Sequence, residues 1–227
     1  MPTSDASFDQ PIIPHSRARS RPHRRLVGQD LPDLFSAAPR YTPTMHPRPH
    51  DNCYWVIPGR LIAGEYPGAS DSVIARRRVA DIAQAGVRHF VDLTEAHELA
   101  PYHSYLSEFS LPLDRPVAHE RWPIRDVDVP HSADHANKIL DRIDALMSVE
   151  AVPYVHCWGG IGRTGTVVGC WLVRHGRSGE DALDVIAGHW STVAKRHRHP
   201  RSPETDAQRR FILEWAQHDR LLRQGGK

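Results

Sequence analysis

Between His156 and Thr166 the chain sets a thiol at Cys157, a guanidinium at Arg163 and a hydroxyl at Thr164 among the glycines Gly159, Gly160, Gly162 and Gly165. Gly159, Gly160 and Gly162 supply the backbone freedom for a tight loop whose N–H groups point inward. Such a loop, leading into a helix N-terminus, attracts phosphate. The Cys157 thiol sits beside those dipoles and the Arg163 charge, both of which favour the thiolate, the nucleophilic form. The planar fork of Arg163 can hold two oxygens of the phosphoryl group that the sulfur attacks. The backbone of Trp158, Gly159, Gly160, Ile161 and Gly162 would cradle the rest. Thr164 can donate a hydrogen bond to the sulfur and help it leave in a second step.

The elements around this stretch must place it. Ala151 to Val155 is short and apolar, as a buried strand should be, and Thr166 to Val173 continues as a buried helix. Upstream, Tyr54 to Ile57 reads as a strand, Pro58-Gly59 as a turn and Arg60 to Gly64 as its hairpin partner. Ser70-Asp71 caps a helix through about Ala85, with Val73, Ile74, Val79 and Ile82 at helical spacing. Gly86 ends that helix, and Val87 to Leu93 forms a buried strand. Leu111 to Ala118 is irregular, and Arg121 to Ile124 is expected to be a short strand. Ser132 caps a helix with Ile139, Leu140, Ile143, Leu146 and Met147 on one face. Ser178 with Asp181 starts another, and a last helix is expected from Ser202, with Pro203 at its first position. Alternating strands and helices imply an α/β domain whose mostly parallel sheet binds ligands at its carboxyl edge.

The pattern His-Cys-x-x-Gly-x-x-Arg-Thr resembles the active-site loop of cysteine-dependent protein tyrosine phosphatases, including the dual-specificity group. The resemblance covers about residues 54 to 217. It implies a central, mostly parallel sheet of about five strands flanked by helices, with an N-terminal antiparallel hairpin. It also implies hydrolysis of phosphotyrosine, and of phosphoserine or phosphothreonine, in proteins through a phosphocysteine intermediate, with no cofactor and no metal. Pro123-Ile124-Arg125-Asp126-Val127-Asp128-Val129-Pro130 is similar to the Pro-Ile-x-Asp-x-x-x-Pro pattern of relatives, which marks Asp126 as the general acid and leaves Asp128 as its rival. Ser202-Pro203-Glu204-Thr205-x-x-Gln208 resembles the segment after the catalytic helix, so Gln208 either orients the hydrolytic water or is an ordinary surface amide. By the same resemblance His156 braces the loop and takes no proton. Phe90 to Glu95 is similar to a stretch of bacterial members.

The alternatives are an inositol-phosphate or phosphoinositide phosphatase and a catalytically inactive phosphoprotein-binding module. Lipid phosphatases of the superfamily place Lys beside the cysteine, whereas Trp158 and Ile161 fill the variable positions here, which makes both candidates for substrate choice. The small domain also lacks the phosphotyrosine loop that deepens the pocket of tyrosine-specific enzymes.

A net charge of +2 argues against nucleic acid as a partner, and no apolar run is long enough to cross a membrane. Residues 1–50 hold seven Arg against four Asp, are rich in Pro, His and Ser, and read as a disordered or loosely packed basic leader. Residues 51–222 then form the catalytic domain and 223–227 a tail. Three scattered cysteines, Cys53, Cys157 and Cys170, suit a reducing, cytoplasmic setting. Cys170 is expected as a buried helix residue. Lys195 to Arg201 is a basic run, read as a solvated face before a phosphate-attracting one. A phosphorylated protein is the expected partner, and the oligomeric state is left open.

Overall fold

A computed structural model describes residues 46–109 and 116–225, so the leader through residue 45 and most of the 111–118 segment lie outside the described residues. Five strands form one sheet in the order β1-β2-β5-β3-β4. β1 (Cys53–Ile57) and β2 (Leu61–Gly64) make the antiparallel hairpin, turned at Gly59, whose φ of 69° suits a residue without Cβ. β2, β5 (Val152–His156), β3 (Val87–Asp92) and β4 (Ala118–Arg121) run parallel. This is the mixed, mostly parallel sheet that the alternating pattern predicted.

Among the described residues five α-helices connect and cover it. α1 (Ser72–Gln84) starts at Asp71, whose carboxylate accepts from the amides of Val73 and Ile74. From its buried side Val79, Ile82 and Ala83 join Trp55, Ile62, Phe90, Tyr102 and Tyr154 in one core. α2 (Ala133–Ser148) is capped by Ser132 and buries the face expected of it. It packs with α3 (Gly162–Arg174), α4 (Gly179–Trp190) and α5 (Asp206–Gly225) into the second helical layer.

Four boundaries differ from the sequence reading. The strand expected at Arg121 to Ile124 ends at Arg121. Trp122 N and Ile124 N still donate to Asp92 O and Leu93 O beside β3, but Pro123 between them has no N–H and the ladder stops. The last helix begins at Asp206, not Ser202. Thr205 and Gln208 exchange hydrogen bonds there, Gln208 N to Thr205 Oγ1 and Thr205 N to Gln208 Oε1, each 3.2 Å, which is a capping box. That helix also runs through Gly225, past the expected start of the tail. Finally, residues 46–50 pack on the body: His46 meets the Trp55 ring, and Arg48 donates to the carbonyls of Cys53 and Thr192.

Candidate active site

β5 ends at His156, in the middle of the sheet, and the chain turns through residues 157–161 before α3 begins at Gly162. The turn is tied down by its carbonyls. Trp158 O accepts from Tyr66 N at 2.9 Å, Gly159 O from Lys195 Nζ at 3.3 Å, and Ile161 O from Ser202 Oγ at 2.8 Å. Carbonyls held outward turn the intervening amides toward the inside of the loop. No side chain caps α3, so the N–H groups of its first turn add to the same concave surface. Gly160 has φ 72°, and a Cβ on it would lie 2.5 Å from the backbone of Gly64; only glycine fits at this crossing.

The sequence-predicted residues come together around Arg163. Its side chain is buried, and its guanidinium receives the Glu98 carboxylate on two nitrogens, at 2.7 and 2.5 Å. Nη1 also donates to Ile124 O at 3.1 Å, and Asp126 Oδ1 lies 2.8 Å from Nη2. Asp126 thus points at the loop. Asp128 turns back, its carboxylate accepting from Val129 N at 2.8 Å. Two aspartates that chemistry could not rank are separated by where their backbone turns them.

Cys157 is buried at the mouth of the loop, 3% exposed. The Thr164 hydroxyl is buried and has no hydrogen-bond partner among the described residues. Of the two variable loop residues only Trp158 faces outward, 57% exposed; Ile161 is buried and its side chain folds against Gly159. Gln208 is wholly buried, which removes the reading as a surface amide.

Beneath the loop lies a polar layer around His156, the residue that the resemblance marked as a brace. His156 Nε2 meets the Tyr102 hydroxyl at 2.6 Å, and its Nδ1 is 3.9 Å from Asp92. Burial lowers the His156 pKa to about 4, so the ring is neutral near pH 7. Asp92 is buried too, which alone would raise its pKa, yet hydrogen bonds from His119 and Thr94 hold its carboxyl below the usual range. Glu98, Tyr102 and Ser202 were missed by sequence reasoning. Their signal was slight: Glu98 and Tyr102 lie on the connection past the carboxyl end of β3, where ligands bind in such folds, and Ser202 lies between the basic run and α5.

The basic run divides. Lys195 is drawn into the site, bonded to Gly159 O and paired with Glu65, which corrects its reading as a solvated residue, while Arg196, Arg198 and Arg201 differ in remaining on the surface or near it. Glu204 stands nearby, its pKa raised by burial and by the charge of Asp126. Cys53 is a buried thiol donating to His50 O, and burial pushes its pKa up to about 12; Cys170 is buried inside α3 as expected. Among the described residues no group of three or more His, Cys, Asp or Glu is arranged to hold a metal ion, and no helix is long and apolar enough to cross a membrane.

A family model described as PTP-SAK, Swiss Army Knife protein, DSP-PTPase phosphatase domain, matches residues 50–212. The chain belongs to this phosphatase family. Among curated proteins it is similar to the phosphatidylinositol 3,4,5-trisphosphate 3-phosphatase and protein-tyrosine-phosphatase PTEN1 of Arabidopsis thaliana, 30% identical over 43% of this chain and 22% of that protein. It is also similar to the dual specificity protein phosphatase CDC14B of Mus musculus, 38% identical over 23% of this chain and 11% of that protein. The chain thus spans under a quarter of either relative's length. Of solved structures, Tk-PTP in the active form has 24% identity and a TM-score of 0.56 over 73% of this chain and 97% of its own. PTPMT1 in complex with PI(5)P has 18% identity and a TM-score of 0.56 over 78% and 100%. These likenesses show the fold: a DSP-type phosphatase domain with its cysteine loop between β5 and α3.

Proposed function

We propose that this DSP-type domain hydrolyses phosphomonoesters on proteins, phosphotyrosine first and phosphoserine or phosphothreonine second, through a phosphocysteine intermediate. The Cys157 thiolate attacks phosphorus, an S–P bond forms and the ester P–O bond breaks. Asp126 gives its proton to the departing oxygen. Water then attacks phosphorus, Asp126 takes a proton from it, and the thiolate leaves with help from the Thr164 hydroxyl. Arg163 and the loop amides carry the charge of the equatorial oxygens throughout; positioning and electrostatic stabilisation do most of the catalysis. His156 braces the loop from below.

The observation that carries this reading is the convergence of Asp126 on Arg163, 2.8 Å apart, at the open end of the cysteine loop. A carboxyl beside the arginine that would hold the phosphoryl oxygens supports a role as acid to the leaving oxygen. Purified protein should release phosphate from an aryl phosphate and from phosphotyrosine peptides, and Cys157→Ser should not, while still binding the peptide. Wild-type protein that binds phosphopeptide without turnover would establish the binding-module reading instead.

A second substrate reading has support in names alone. One relative is a phosphatidylinositol trisphosphate 3-phosphatase, and one structural neighbour holds PI(5)P. Faster hydrolysis of inositol phosphates than of phosphotyrosine peptides would move the substrate class there. The absence of Lys beside Cys157 favours protein substrates.

A further inference from the structure

Gln208 spans two loops. It is completely buried, and both ends of its amide are engaged: Oε1 accepts from Thr205 N at 3.2 Å, and Nε2 donates to Asp128 O at 3.0 Å. The reverse orientation would set oxygen against the Asp128 carbonyl and nitrogen against the Thr205 amide, so the two contacts fix the flip. The capping box at the start of α5 fixes the side chain's path as well. A Cβ on Gly162 would come within 2.6 Å of Gln208 Nε2, so the amide crosses directly over the first residue of α3. One side chain therefore touches the phosphate loop and ends on the acid loop.

The acid loop needs such a hold. Asp128 N bonds Arg125 O at 3.2 Å to close a turn around Val127, which is 54% exposed and has φ 60°. A β-branched residue in the left-handed region is strained. Arg163 holds the near arm of this turn, through Ile124 O and Asp126. On the far arm, the Asp128 carbonyl is held by Gln208.

We propose that Gln208 is a positioning residue for the general acid: its Nε2–H bond to Asp128 O keeps the strained 125–128 turn closed and Asp126 aimed at the departing oxygen. This rests on the reading of Asp126 as the acid. It gives Gln208 a role in the first chemical step, before any water attacks.

The test uses full-length protein and a series of aryl and alkyl phosphates of falling leaving-group ability, comparing wild type, Asp126→Ala, Gln208→Ala and Gln208→Glu. kcat/KM reports only events up to expulsion of the leaving group. Gln208→Ala should lower it by about 10-fold to 100-fold for the poorest leaving group, as misplacement of a catalytic group does. The loss for the best should stay within about 3-fold, because a good leaving group asks little of the acid. Gln208→Glu keeps the acceptor that caps Thr205, and burial favours its protonated form, which can still donate to Asp128 O, so it should restore much of what Gln208→Ala loses on the poorest leaving group. That pairing separates positioning from loss of fold. A water-orienting Gln208 predicts the opposite split: kcat falls, phosphocysteine accumulates and kcat/KM is unchanged, and this result overturns the proposal. A steep profile for Asp126→Ala with a wild-type profile for Gln208→Ala overturns it alone. A flat profile for Asp126→Ala removes the assignment of the acid, and this proposal with it.

Discussion

The phosphate loop and the acid loop face each other across Arg163, and they are built in opposite ways. Cys157, Ile161, Arg163 and Thr164 are buried, and carbonyls of the loop are tied to β2's following turn, to Lys195 and to Ser202. Asp126, by contrast, is half exposed and sits in a turn with a strained valine at its tip. A group of fixed dipoles stabilises developing charge only if it does not reorganise, so it belongs in the packed core. A proton donor must approach the leaving oxygen and later a water, so it belongs on a turn that few bonds hold.

This contrast can be broken at several points. Cys157→Ser should have the largest effect, a loss of turnover of about 10⁴-fold or more with phosphopeptide binding retained, read by phosphate release and by calorimetry. Measurable turnover above a tenth of wild type would remove Cys157 as nucleophile.

On the acid side, Asp126→Ala should slow an alkyl phosphate by about 10²-fold to 10³-fold, the range of general acid catalysis. Asp128→Ala should cost under about 5-fold, through its lost bond to Val129 N alone. If Asp128→Ala alone fails on the alkyl ester, the assignment is wrong.

Gly160→Ala probes the rigid side without touching a reacting group. Its Cβ meets backbone, not a flexible side chain, at positive φ, so stability should drop by about 2 kcal/mol in denaturant unfolding and turnover should fall for good and poor leaving groups alike. Equal stability would mean that the loop can shift off β2.

The last prediction concerns the layer under the loop and reads stability alone. The folded protein resists protonating His156, whose pKa falls from 6.5 to about 4 through burial, whereas the unfolded chain takes the proton normally. Stability is therefore fully present above pH 6.5 and declines as pH falls toward 4, by on the order of 3 kcal/mol. Unfolding curves at pH 7, 5.5 and 4.5 should show this decline, and His156→Asn should reduce its slope; a flat wild-type profile over that range would falsify the neutral, buried histidine.

Much of this was legible along the chain. Spacing alone placed the cysteine loop between a strand and a helix, because strand, glycines and Arg163 are contiguous and the chemistry is local. Helix caps at Asp71, Ser132 and Ser178 were readable for the same reason. What failed was where distant segments compete. Pro203 looked like a helix start, but the Ser202 hydroxyl is taken by the phosphate loop and the cap passes to Thr205.

The sequence by itself placed the loop proposed as nucleophile and phosphate cradle, the α/β order of elements and the family to which they point. These rest on residues within a few positions of one another, where backbone geometry leaves little choice. Only the tertiary structure decided which of two aspartates faces Arg163, that Glu98 clamps that arginine, that Ile161 turns inward, and that Gln208 reaches from the start of α5 to the acid loop. Those outcomes depend on side chains brought from across the fold, 65 residues apart for Glu98 and Arg163 and 80 for Gln208 and Asp128, and no local pattern encodes such meetings.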